Sequence, residues 1–213
     1  MKRRLAVYTA IFGGRDLLRL PPADADFDFF AFTDQAHADP RVLQVAPPMP
    51  GDIVRSARML KILPAKYLPE YRYSLWIDGS IALKTGKLDG LVDAYLSRAP
   101  MAAFQHPERT CAYQEASVCL SAKLDDPKLI SDQARTYRES GLPEGFGLAE
   151  TGFLLRDHEQ LATFSNAWWR EIVRWSRRDQ ISFPFASWKS GVTWARFGGM
   201  MRENSWFQLM PHL

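Results

Sequence analysis

The chain is poor in the residues that build metal frameworks and covalent staples. Among its 213 residues are two cysteines, Cys111 and Cys119, and four histidines. Their spacing matches no zinc pattern, and two thiols make no disulfide framework, so a reducing cytoplasm is expected, with a peripheral place at the inner membrane face as a variant of it. No apolar run reaches the length of a membrane span. Met1-Lys2-Arg3-Arg4 begins like a signal peptide. However, the apolar run behind it is broken at Thr9 and at Gly13-Gly14, and no small-residue cleavage site follows. There is no P-loop and no GxGxxG fingerprint, so neither an ATPase nor a dinucleotide-dependent dehydrogenase is supported. Internal repeats and low-complexity linkers are absent. The net charge of +3 and isoelectric point near 8.9 suit an anionic ligand such as a phosphate ester but are too small to argue for nucleic acid.

The chain has the composition of an ordinary globular protein, 46% hydrophobic and 24% charged, and its length suits one domain that buries roughly 70% of its unfolded surface. Leu5 to Phe12 is β-rich and ends at Gly13-Gly14. Phe27 to Phe32 ends at Thr33-Asp34, Arg41 to Val45 is closed by Pro47-Pro48, and Tyr73 to Ile77 ends on Asp78. Pro100 to Gln105 runs into His106, and Thr151 to Leu155 is a later strand. Helices are expected over Ile53 to Lys66, bent or ended by Pro64, over Leu88 to Arg98, and over Asp126 to Ser140. From His158 onward Leu161, Phe164, Trp168, Ile172 and Trp175 recur at steps of three and four, one face of a long amphipathic helix that packs a core. Alternating strands and helices imply an α/β fold with a largely parallel sheet, in which ligands bind at the carboxyl edge of the strands. Gly13-Gly14, Asp34, Asp78 and His106 would then share one edge.

Arg55, Arg58 and Lys61 fall three apart on an expected helix. They form either a solvated basic face or a clamp for phosphate, Arg as a planar fork and Lys as a point charge. Asp78 closes an apolar strand in "YSLWIDGSIAL". A carboxylate there must be solvated, paired or metal-bound, because burying it bare is costly; a turn aspartate ahead of Gly79-Ser80 is the plain alternative. Arg178-Asp179-Gln180 sets an acid and an amide together at a helix end, where a general base or sugar-hydroxyl acceptor would find its groups. Glu150 precedes a strand and would face the same cleft. Trp188, Trp194 and Trp206 are read as packing.

The segments "VYTAIFGGRD", "FFAFTD", "RSARMLKILP", "LWIDGSIAL", "FQHPERTCAYQEA", "GLAETGFLLRDH" and "WWREIVRWSRRDQISFPF" occur in an order that resembles the domain-of-unknown-function 616 (DUF616) group, which includes plant glycosyltransferase-like proteins of the TOD1/MUCI70 type. The likeness runs from about Leu5 to Phe185. It implies a GT-A-type, Rossmann-like fold: a mixed, mainly parallel sheet flanked by helices in one domain. A nucleotide-sugar-binding half would span about residues 1–105 and an acceptor-binding half about 106–213. The activity implied is transfer of a sugar from a nucleotide-diphosphate donor to a polysaccharide or glycoconjugate; a non-catalytic nucleotide- or carbohydrate-binding module and a nucleotide-sugar hydrolase are the alternatives. By resemblance, Thr9, Phe12, Gly13 and Gly14 hold the nucleotide and Asp34 meets its base or ribose. Arg58 and Lys61 meet the diphosphate, and Asp78, Gly79 and Ser80 stand where related enzymes carry a DxD metal motif. Asp179 and Glu150 are the catalytic candidates, and His106, Arg109, Glu115 and Gln180 belong to the acceptor side. Ser80 replaces the second aspartate of that motif. Either Mn2+ or Mg2+ is held by Asp78, the diphosphate, water and His212, or no metal is obligatory and Arg58 and Lys61 carry the leaving-group charge.

Overall fold

Alternation of side chains along the strands gives the molecule its two cores. In the first strand Ala6, Tyr8 and Ala10 face one way and Leu5 and Val7 the other, and all are buried. A strand apolar on both faces must be covered on both faces. The computed structural model describes residues 3–211, and its elements run β1 (Arg3–Ile11), β2 (Asp28–Thr33), β3 (Val42–Gln44), α1 (Ile53–Ile62), α2 (Pro64–Tyr67), β4 (Tyr71–Ile77), β5 (Ile81–Leu83), α3 (Gly90–Leu96), β6 (Met101–Gln105), α4 (Ala112–Ser121), α5 (Pro127–Glu139), β7 (Ala149–Asp157), α6 (Ala162–Arg174), α7 (Asp179–Ser190), β8 (Ala195–Arg196) and β9 (Phe207–Leu209).

The main sheet has the strand order β3-β2-β1-β4-β7-β6-β8. Every pairing in it is parallel except those of β7, which runs antiparallel between β4 and β6. The fold is therefore α/β with a mixed, mainly parallel sheet flanked by helices. On one face α1, α6 and α7 cover Tyr8, Trp76 and Leu154. On the other, α3 and the β5–β9 ribbon cover Leu75, Ile77, Phe153 and Leu155. The stripe is buried at Leu161, the N-cap of α6, and at Phe164, Trp168 and Ile172, whereas Trp175, expected on the same face, falls at the C-cap, is half-buried and packs against the α4–α5 cluster. Trp206 stacks on Phe153 with rings 6° apart, Trp194 meets Phe183 edge-on and Trp188 lies against Phe185, so these tryptophans pack. Cys111 and Cys119 are buried free thiols.

Pro64 ends α1 and opens α2 as its first residue, where a missing N–H costs nothing. Two helices differ from the sequence reading. α4 follows Cys111 where only a polar segment was expected, and α7 begins, rather than ends, at Asp179. α7 also carries Pro184 in its interior and is buried along most of its length, so packing overrides local propensity there.

Candidate functional site

The parallel strands β1, β2, β4 and β6 all point the same way, so Gly13-Gly14, Asp34, Asp78 and His106 do meet at one edge of the sheet. β7 runs the other way and begins at that edge, which brings in Glu150, Thr151 and Gly152. The edge is thus built from four strand ends and one strand start.

Its centre is an ion cluster. Lys61 Nζ lies 2.7 Å from Asp179 Oδ2 and 3.4 Å from Asp78 Oδ1, and Arg58 Nε lies 2.8 Å from Asp179 Oδ1. A weaker approach of 3.9 Å links Arg58 to Asp78. Thr151 donates its hydroxyl to Asp179 at 2.8 Å and stands 3.2 Å from Lys61 Nζ. Trp76 Nε1 donates to Asp78 Oδ1 at 2.6 Å, and Lys61 lies over the Trp76 ring. Lys61 and Asp179 keep 1% and 5% of their side-chain surface, whereas Asp78 keeps 33%. Of the two carboxylates, only Asp78 presents its charge to solvent.

The acids of this edge differ in role. Burial alone would raise the Asp179 carboxyl, but the Arg58 and Lys61 charges overcome it and hold Asp179 far below the usual carboxylate range. Its place in the first turn of α7 favours the anion further. Such a carboxylate is a strong anchor and a weak base. Glu150 is the opposite case: burial raises its carboxyl, and its Oε2 is buried without a hydrogen bond among the described residues. Gly152 lies two residues further along β7, and its missing Cβ leaves room for Asp78; a Cβ there would come within 3.0 Å of Asp78 Oδ2 and 2.5 Å of Met201 Cε.

The turns around the cluster are tied together. Gly13 and Gly14 both take left-handed backbone, and the Gly13 amide donates to both oxygens of Asp34 at 3.1 and 3.0 Å. A Cβ on Gly79 would strike Asp16 Oδ2 at 2.8 Å, so that glycine lets the β4 and β1 turns touch. The Ser80 carbonyl accepts from the Met210 amide at 2.7 Å. Thr9 and Phe12 are 3% and 2% exposed, so they support the Gly13-Gly14 turn from within. Arg55 leaves the basic row of α1. Its guanidinium donates to the Ile172 and Trp175 carbonyls at 3.0 and 2.7 Å and caps the end of α6.

The residues expected on the acceptor side form a scaffold beside this edge. His106 Nδ1 accepts from the Glu108 and Arg109 amides at 3.1 and 3.0 Å, and burial with the Arg109 charge lowers its pKa, so its neutral form holds the turn. Arg109 pairs with buried Glu115 at 2.7 Å. Arg178 sits between this scaffold and the ion cluster, near Asp179, Cys119 and Glu115. Gln180 is half-buried on α7. His212 lies outside the described residues. Thr151, Gly152 and Trp76 complete the site, although sequence reasoning passes over them; the glycine inside an apolar strand was the available signal.

The family described as TOD1/MUCI70, glycosyltransferase-like domain, matches residues 39–205. The chain belongs to this family. The match leaves β1 and β2 outside it and includes Arg58, Lys61, Asp78, Glu150 and Asp179. Over 140 residues the chain is 31% identical to "Probable hexosyltransferase MUCI70" of Arabidopsis thaliana, an alignment that covers 61% of this chain and 24% of that protein. The chain thus spans about a quarter of the length of this curated relative. Among solved structures, the apo form of the bifunctional glycosyltransferase WbbM aligns over 87% of this chain and 38% of its own, with 13% identity and a TM-score of 0.48. No helix among the described residues is long and apolar enough to cross a membrane.

Proposed function

We propose that this family member transfers a glycosyl unit from a nucleotide-diphosphate donor to a saccharide or glycoconjugate acceptor. The observation that carries this reading is Asp78. Its Oδ1 is pinned by Trp76 and Lys61, while the carboxylate stays one-third exposed beside Arg58 at the carboxyl edge of the sheet. The nucleotide would rest on the Gly13-Gly14 backbone with Asp34 at its side, and the diphosphate beside Arg58, with Lys61 buried beneath it as a fixed positive charge. Asp179 holds both cations in place and is a positioning residue. Glu150, with its raised carboxyl, is the better base for an acceptor hydroxyl, as an inverting reaction requires. His106, Arg109, Glu115 and Gln180 shape the acceptor side.

Among the described residues, no group of three or more His, Cys, Asp or Glu side chains could hold a metal ion. A cation that draws most ligands from water and phosphate needs only one or two carboxylates, and Asp78 supplies one, with Oδ2 given no hydrogen bond by the described residues. Arg58 and Lys61 are already balanced by Asp78 and Asp179. Bound Mn2+ or Mg2+ would therefore supply the extra positive charge that a departing diphosphate needs. Asp78 would hold it, and Ser80 stands close by in the chain.

The test is release of nucleoside diphosphate from a panel of nucleotide sugars, with and without oligosaccharide acceptors and Mn2+. Acceptor-dependent release is expected, and Glu150→Gln should lower turnover by roughly 10²- to 10⁴-fold. Free sugar formed regardless of acceptor would instead mark a hydrolase, and binding without release a non-catalytic module.

A further inference from the structure

A second charged site lies at the far end of β7. Arg156 is five residues beyond Thr151, roughly 16 Å along an extended strand and away from the edge that carries Asp78. It faces the same core as Leu154 and is 0% exposed. One nitrogen, Nη2, donates to the Tyr8 hydroxyl. That hydroxyl in turn donates to the backbone carbonyls of Leu60 and Lys61. Nε and Nη1 are buried with no hydrogen-bond partner among the described residues. Tyr8 does not neutralise the guanidinium, since burial pushes its hydroxyl up to about 12 and keeps it protonated. No described carboxylate pairs with Arg156 either. Buried cations are ordinarily paired, and each unmade donor costs free energy.

Arg156 lines a cavity of about 200 Å³. Leu63, Pro64, Leu161 and Ala162 give it apolar walls, and Ser165 is among its polar ones. Lys66 also lines it, but that side chain is exposed and its charge is screened by water. The cavity meets the start of α6, a helix of 13 residues whose N-cap is Leu161 and which no side chain caps. The first amides of a helix have no intrahelical acceptor, and the helix dipole favours an anion there. Two features of independent origin thus converge on one space: Arg156, which keeps two unpartnered buried donors, in its lining and an uncapped helix start at its wall.

We propose that this cavity binds a small organic carboxylate, its head on Arg156 and the start of α6 and its short apolar body against Leu63, Pro64 and Leu161. A single negative charge matches the one buried, unpaired cation. A dianion would leave excess charge among apolar walls, which disfavours free phosphate. The site is separate from the ion cluster and does not depend on the transferase reading.

The experiment is isothermal titration of the full chain with sodium butyrate at constant ionic strength, with inorganic phosphate as a second arm. Saturable butyrate binding is expected, at least tenfold weaker in Arg156→Met and in Ala162→Asp, and unchanged in Asp78→Asn. Ala162 is exposed at the first position of α6, so an aspartate there keeps the helix while repelling the carboxylate; this variant decides the matter if Arg156→Met does not fold. No saturable binding, binding that both variants retain, or binding of phosphate without butyrate would each overturn the proposal.

Discussion

At the Thr151 end of β7 two cations face two carboxylates, whereas at the Arg156 end one guanidinium faces only a neutral phenol. Both charges are buried against the same core. The first is compensated inside the protein, so it fixes geometry: Lys61 and Arg58 are held by Asp179, and Asp78 is left to meet solvent. The second is uncompensated, so it is poised for whatever brings a negative charge. A buried ion pair and a buried lone ion therefore respond oppositely to loss of one group.

The largest effect should come from breaking the compensated end. Lys61→Met leaves Asp179 buried with Arg58 alone, and removing one partner of such a pair costs about 3–5 kcal/mol, read from urea unfolding. Arg156→Met, by contrast, should leave ligand-free stability within about 1 kcal/mol of wild type or raise it, because it removes an unmet cation. Equal large losses at both ends would erase the distinction. Acid sharpens it. The folded-state carboxyl of Asp179 lies below its unfolded value of about 3.8, so its stabilisation is present above that pH and is lost as pH falls toward the folded value. Wild type should lose stability below about pH 4 more steeply than Asp179→Asn. Gly152→Ala should cost about 1–3 kcal/mol by overpacking against Asp78 and Met201 and weaken nucleotide binding as well. Arg55→Ala should cost about 1–2 kcal/mol from the lost cap on α6, with nucleotide binding unchanged.

Much of this was legible in the chain because it rests on period and punctuation. Strand ends at Gly13, Asp34, Asp78 and His106, the α6 stripe and the break at Pro64 follow from local chemistry. The sequence did not show that β7 is antiparallel, yet that reversal is what delivers Glu150, Thr151 and Gly152 to the edge; strand direction is set by pairing across the chain, not by alternation. Nor did equal spacing divide Arg55 from Arg58 and Lys61. The division depends on α6 ending against α1, a contact between residues more than a hundred positions apart. Asp179 looked like a base because its neighbours are polar, while its burial between two cations comes from tertiary packing. An arginine at the end of a strand is ordinarily solvated, so nothing local marks Arg156 as buried.

The most direct measurement is thermal unfolding of wild type and Asp78→Asn with a panel of nucleoside diphosphates, with and without Mn2+. A ligand at about 100 times its dissociation constant stabilises a folded chain by roughly 2.7 kcal/mol. A Mn2+-dependent shift is expected for at least one nucleoside diphosphate in wild type, together with its loss in Asp78→Asn. No shift with any of them, or a Mn2+ response that Asp78→Asn keeps in full, would contradict the role given to Asp78.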